Sequence, residues 1–290
     1  CINELELLQT INTELGIPGK SKSKKKLVDL LNNFLLEERS KGHRVVVIID
    51  EAQASEIVKF VTSYLEPDPF NPPEAKGYPI CSLYLDSPNL RLYDATIQGH
   101  KNRYKLRIRF YDNEPNHSAF VEIKRRETDV IKKKRAAVNR DGARLILAGE
   151  SPRVEFLYKQ NGSSSALDSL YEFCRLRDQI RASGVTYVYY RREAYVSPAS
   201  SHIRVTFDRG LQAGDYEIGS KLELPQEVKK ANVGGVVLEL KFTDRFPNWM
   251  RDLSQIFNLQ RTSVPKYVKC VDALGVAEKA MTGRPRYMPL

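Results

Sequence analysis

In the stretch YKLRIRFYD, residues 104–112, cations stand at every second position, Lys105, Arg107 and Arg109, with Leu106, Ile108 and Phe110 filling the gaps. Successive side chains of a β-strand point to opposite faces, so this spacing predicts one face of cations and one of apolar groups. A row of like charges repels itself. It is tolerable on a solvated face, or against a polyanion whose oxygens accept charge-assisted hydrogen bonds. The pattern recurs along the chain. Glu122 and Lys124 alternate in FVEIKRR, Arg192 falls in YYRREAYV, Arg204 in IRVTFD, and Glu239 alternates with Lys241 in VVLELKF. One Glu-x-Lys pair is ordinarily a surface cross-strand ion pair. Repetition over several strands predicts that a curled sheet brings the charged faces together on an interior lined by Arg, Lys and a few carboxylates. Cations there would bind phosphates, and the carboxylates would recruit a divalent metal sharing those phosphates.

The elements that must position these residues follow from periodicity. From residue 78 onward the period is two, and PICSLYLDS, YKLRIRFYD, SAFVEIKRRE, VTYVYYRREAYV, SHIRVTFDR, DYEIGS and GVVLELKFTD all read as strands, antiparallel where turns are short. Helical spacing appears over 3–15, 24–39, 54–66, 165–183 and 247–259. The order predicts an α+β fold dominated by a curled antiparallel sheet. Ahead of it, HRVVVIIDEAQ (43–53) reads as a buried strand delivering Asp50 and Glu51, the outline of a Walker B motif in which the Asp helps hold Mg²⁺ and the Glu polarises a water. A P-loop to accompany it is missing. GIPGKS (16–21) follows a helix and has Glu14 where the motif requires Gly, so it reads as a helix-capping loop.

Composition sets the outer limits. The 290 residues hold 41% apolar residues, enough for a sizeable core, and a net charge of +10 that favours an anionic partner. Four scattered cysteines without CxxC or Cys/His spacing argue for a reduced, cytoplasmic protein and against structural zinc. No apolar run reaches membrane-span length. The chain begins on Cys1, as a fragment or processed product would. The basic runs Lys24–Lys26 and Lys132–Arg135 read as solvated surface rather than a nucleic-acid site, the second also suiting a tunnel entrance. Trp249 is expected to pack a helix against the sheet.

Residues 55–274 resemble the VTC domain, the polyphosphate-polymerase branch of the triphosphate tunnel metalloenzymes (CYTH-like superfamily), and especially its bacterial members. The runs that carry the resemblance are YLEPDPF (64–70), YPICSLYLDS (78–87), YKLRIRFYD, FVEIKRR, YYRREAYV, IRVTFD, VVLELKF and SVPKYVKCVDAL (263–274), in the family's order. The resemblance implies an eight-stranded antiparallel β-tunnel with flanking helices that holds the triphosphate of ATP or another nucleoside triphosphate and threads polyphosphate. It places the phosphate-binding cations on Arg107, Arg109, Lys124, Arg192, Arg204 and Lys266, with Lys269 close enough to compete for the last role. Lys105, Glu122 and Lys241 are further candidates. It places the metal-binding glutamate on Glu239, for Mn²⁺ or Mg²⁺. The implied activity is transfer of a terminal phosphoryl group to a phosphate acceptor. A triphosphatase using the same tunnel, and an inactive module binding polyphosphate or tripolyphosphate, are the alternatives.

Residues 1–53 resemble an internal piece of an ExeA-type AAA ATPase, joined to a VTC domain over 54–290. The family's first strand, of the type RYELKY, brings a charged pair into the tunnel. Here RVVVIID takes its place, with Val46 near the lysine position. The expectation is that residues 43–50 pair as that strand but leave its charge missing, impairing turnover.

Overall fold

The computed structural model describes residues 5–6, 9–10, 13, 21, 23–27, 43–72, 76–128, 130–159, 164–198, 200–243 and 246–281. The helices expected over 3–15 and 24–39 and the GIPGKS loop lie for the most part outside these residues. From residue 43 the elements run β1 (His43–Ile49), α1 (Glu51–Val61), β2 (Glu66–Pro67), β3 (Tyr78–Asp86), α2 (Arg91–Ile97), β4 (Arg103–Phe110), β5 (Ala119–Glu127) and β6 (Val130–Val138). They continue with α3 (Arg140–Leu147), a 3₁₀ turn (Val154–Phe156), α4 (Ser164–Gln179), β7 (Ser183–Ser197), β8 (Ser200–Asp215), β9 (Lys229–Lys230), β10 (Val236–Phe242), α5 (Asn248–Ile256), α6 (Lys266–Ala273) and α7 (Val276–Met281).

Eight strands form one antiparallel sheet in the order β1-β10-β8-β7-β3-β4-β5-β6, and the short β2 and β9 attach to β7 and β8. This is the expected eight-stranded wall, as a curled sheet whose end strands are not paired with each other. The exposed edge of β1 is partly covered, because Thr262 N donates to Val46 O (2.7 Å), and a bridge from Leu157 to Val138 does the same for β6. β1 pairs with β10 along its whole length, His43 opposite Phe242 through Ile49 opposite Val236. The β-branched run Val45–Ile49 therefore takes the first-strand position, as expected.

Alternation decides what each face contacts. On the convex side Leu106, Ile108, Phe110, Val121 and Ile123 pack under α3 and α4 with Ile146, Leu170 and Phe173. Val47, Ile49, Val205, Leu238 and Leu240 pack under α1 and α5 with Ile57, Met250 and Leu253. Trp249 joins this second cluster and stacks on Tyr64 at 5.0 Å, the expected packing role. A one-residue slip in any of these strands would exchange apolar for charged faces, which pins the register. The concave side is filled at one end by α6, whose Tyr267, Val268 and Val271 contact Ile80, Tyr84, Val188 and Tyr190 of β3 and β7.

Some expectations need correction. The helix expected over 54–66 starts at Glu51, because the Asp50 carboxylate accepts from Gln53 N (2.7 Å) as an N-cap, and it stops at Val61. DYEIGS contributes only Asp215, at the end of β8, and Tyr216–Ser220 lie outside the strands. The basic run Lys132–Arg135 is the middle of β6. Among the described residues no helix is long and apolar enough to cross a membrane.

Candidate phosphate-binding face

The concave face is built from facing positions of β4, β5 and β6 on one wall. Register places Arg107, Glu122 and Arg135 directly opposite one another, and beside them Lys105, Lys124 and Lys133. Glu122, only 1% exposed, is the anchor of this wall. Arg107 grips one of its oxygens through Nε and Nη2, each at 2.6 Å, while Lys133 Nζ lies 2.6 Å and Arg135 Nε 3.7 Å from the other. Burial opposes the charge on Glu122, yet Arg107, Arg109 and Lys133 outweigh it and pull its carboxyl down to about 2. Arg107 also donates to the Tyr84 hydroxyl (3.0 Å), and Arg109, almost fully buried, donates to the Ser82 hydroxyl (3.1 Å).

Lys105 and Lys124 have no carboxylate partner among the described residues. Burial is the first cause that holds both ammonium groups below the usual lysine range; the Arg44 guanidinium is the next one acting on Lys124. Tyr84 reports the sign of the local field. Burial alone would raise its phenol, but Arg107, Lys105 and Arg109 reverse the shift and lower it. Like charges held directly opposite across strands are destabilising. The row Lys105–Lys124–Lys133 therefore carries a cost that a bound polyanion would remove.

The second wall is β7, β8, β10 and β1. Asp208, 3% exposed, takes a bidentate pair from Arg192 (2.6 and 2.7 Å) and a further bond from Lys266 Nζ (2.6 Å). Burial opposes ionisation of Asp208, but Arg192 and Lys266 outweigh it and depress its pKa strongly. Arg204 donates to Asp68 (2.5 Å) and to the Tyr78 hydroxyl (3.0 Å). Glu239 lies 3.1 Å from Arg44 Nε and 3.9 Å from Arg192 Nη2. Its pKa is lowered, with Arg44 and Arg192 outweighing burial. Lys124 of the first wall lies within electrostatic reach of this one, where Arg44 lowers its pKa and Glu239 raises it.

The structure thus gathers Arg107, Arg109, Lys124, Arg192, Arg204, Lys266, Lys105, Glu122, Lys241 and Glu239 on one concave face. Lys266, at the start of α6, reaches into it, whereas Lys269 is exposed in a groove with Asn232 and Val264. Asp50 and Glu51 are not in it: Asp50 caps α1, and Glu51 pairs with Arg209 at 3.0 Å on the convex side. Sequence reasoning missed Asp208 and Asp68, which hold the arginines, together with Lys133, Arg135 and Arg44. Pairing VIKKKRAAV in register with β5 would have exposed Lys133 and Arg135. Arg44 corrects the expectation of a chargeless first strand. Val46 does face inward, opposite Glu239 and 8% exposed, but the cation two residues earlier reaches the same carboxylate.

For a metal, the donor set is sparse. Among the described residues no cluster of three or more His, Cys, Asp or Glu is placed to hold an ion. Glu239 stands opposite Thr206, whose buried Oγ1 has no hydrogen-bond partner among the described residues. One carboxylate beside an unsatisfied hydroxyl suits a cation that arrives already bound to phosphates, the usual manner of Mg²⁺.

The sequence matches the VTC domain family over residues 43–275. No curated protein gives a match. Solved structures to which this chain is similar include a Bacillus halodurans protein provisionally assigned as an adenylate cyclase, at 10% identity and TM-score 0.44, covering 78% of this chain and 94% of that one. The Schizosaccharomyces pombe Mediator head module follows at 8% identity and TM-score 0.37, with 75% and 91% covered, and the Mimivirus capping-enzyme triphosphatase at 12% and 0.31, with 81% and 96% covered. At these scores they carry no argument. The family match takes in every strand of the sheet, from β1 onward, and the chain belongs to the VTC domain family.

Proposed function

We propose that this chain is a polyphosphate polymerase-like phosphotransferase that binds a nucleoside triphosphate or polyphosphate on its concave face and passes the terminal phosphoryl group to a phosphate acceptor. The observation that carries this reading is the row Lys105–Lys124–Lys133, three lysines directly opposite in register on a face already rich in guanidinium, of which Lys105 and Lys124 have no carboxylate partner among the described residues. A phosphate chain is the ligand whose closely spaced negative charges match closely spaced cations.

In the reaction an acceptor phosphate oxygen attacks the terminal phosphorus of the donor. A new P–O bond forms as the bond to the bridging oxygen breaks, and the electron pair leaves on the nucleoside diphosphate. Arg107, Arg109, Lys124, Arg192, Arg204 and Lys266 between them offset the charge on the donor and acceptor phosphate oxygens, so positioning and electrostatics do most of the work. Glu239 would hold a Mn²⁺ or Mg²⁺ ion that further neutralises those oxygens. Glu122 and Asp208 are locked in ion pairs and held acidic, which makes them poor general bases near neutral pH. An acceptor that is already anionic needs no base. That favours a phosphate acceptor over water, and hence transfer over a triphosphatase.

Incubation with ATP and Mn²⁺ tests the proposal. Long polymer should accumulate together with ADP, and Glu239→Gln should abolish the Mn²⁺-dependent turnover more than it reduces phosphate binding. Release of orthophosphate without polymer would select the triphosphatase. Binding of tripolyphosphate without turnover would select the inactive module.

A further inference from the structure

Phosphoryl transfer to phosphate brings two strongly anionic groups together, with the attacking oxygen about 3–3.5 Å from phosphorus. Each group needs cations of its own. The wall of β4, β5 and β6 supplies one set around Glu122. A second set stands on the opposite wall, where register places Arg44, Lys241 and Arg204 side by side across β1, β10 and β8. This is again a row of like charges directly opposite in register; Glu239 and Asp68 already hold Arg44 and Arg204, which leaves Lys241 as the member with charge to spare.

Two further features mark this place as built to receive something. The Arg204 Nε is buried without a hydrogen-bond partner among the described residues, although the other end of the same guanidinium is held by Asp68 and Tyr78. Two residues on and on the same face, the Thr206 Oγ1 is also buried and unpartnered. A buried donor left unsatisfied costs about 1–3 kcal/mol. Lys241 is exposed and makes no ion pair among the described residues. A tetrahedral oxyanion would satisfy Nε, the hydroxyl and the ammonium together.

We propose that Arg44, Lys241, Arg204 and Thr206 form a separate station for the acceptor, holding either free orthophosphate or the terminal phosphate of a polyphosphate chain. The inference rests on the phosphoryl-transfer reading above and adds a second site to it. The Arg44 guanidinium helps hold the Lys124 ammonium below the usual lysine range, so the station lies within electrostatic reach of the β4–β6 wall. Glu239 stands directly opposite Thr206 and next to Lys241 along the inward face of β10.

The test is a calorimetric titration of orthophosphate into protein already saturated with the ATP analogue whose β and γ phosphates are joined by an imido bridge. The saturated wild type should bind orthophosphate with its own isotherm. Lys241→Ala, an exposed position whose loss leaves the fold intact, should weaken that binding about tenfold or more, the effect of one charge-assisted bond. Affinity for the analogue should change by less than about threefold. Lys241→Arg should restore orthophosphate binding. Repeating the titration with pyrophosphate identifies the source: equal affinity points to free phosphate, and much tighter binding to a chain end. No binding of either anion to the saturated wild type would overturn the station, as would equal losses for analogue and orthophosphate in Lys241→Ala. Because the readout is binding, a protein that makes no polymer yet binds both anions would refute the transfer reading and leave the station standing.

Discussion

Glu122 and Asp208 show that the cations of this face do not wait unaccompanied. Each carboxylate organises the arginines and lysines around it, fixing guanidinium planes that would otherwise lose rotamer freedom on binding. The arrangement has a pH signature. The Glu122 carboxyl falls from an ordinary 4.5 to about 2, under the opposing effects of burial and of Arg107, Arg109 and Lys133. A depressed acid contributes stability that is present above its unfolded pKa and is lost as pH falls through the folded one. For Glu122 that window runs from about pH 4.5 down to about pH 2 and amounts to roughly 3 kcal/mol. Urea midpoints measured through the window should fall steeply for the wild type and less steeply for Glu122→Gln. Equal slopes would mean that the carboxylate is no more engaged in the folded chain than in the unfolded one.

At the scale of elements, α6 deserves the closest reading because it fills one end of the concave face and brings Lys266 to Asp208. Its anchor is Asp86, fully buried, which accepts from the backbone of Ser87, Leu92 and Tyr93 and from the Tyr267 hydroxyl (2.7 Å). Tyr267 also stacks on Tyr84, the partner of Arg107. Removing the hydroxyl in Tyr267→Phe takes a hydrogen bond from a buried charge and should cost about 1.5–3 kcal/mol in chemical denaturation. Tripolyphosphate affinity should drop with it, since Lys266 loses its footing. A variant as stable as the wild type would show that α6 is held by its apolar contacts alone. None of this was legible in the sequence, where KYVKCVDA is too short to display helical periodicity and Asp86 looks like a turn residue. The strands β3, β4, β5, β7, β8 and β10 were legible, because alternation is strict where one face meets helices and the other a charged bay. β6 was not. Its convex face carries Lys132 and Lys134, which reach Glu127 and Glu172, so the strand reads as an unbroken basic run. Arg44 stayed hidden for a related reason. The uniform apolar run after it draws attention to what the strand lacks, while only the register with β10 shows that its first cation reaches Glu239.

For the whole molecule, the net charge of +10 is a long-range bias toward anions, while the concave face supplies a local site. The two differ in how they respond to salt and to mutation: diffuse surface attraction is screened within about 8–10 Å at physiological ionic strength, and a desolvated cluster much less so. The curled sheet makes the difference possible by turning facing positions of eight strands, separated by up to two hundred residues of sequence, into one lining. The central claim is that this lining, rather than the general surface, binds phosphate chains. The most direct measurement is a calorimetric titration of tripolyphosphate into the wild type and into the double variant Arg107→Ala, Arg109→Ala, with circular dichroism to confirm that the variant is folded. Each charge-assisted bond is worth about 1.5–3 kcal/mol, so the account predicts a loss of affinity well over tenfold with the sheet intact. A folded double variant that binds tripolyphosphate as tightly as the wild type would contradict it, and would return the cation row of β4 to an ordinary solvated face.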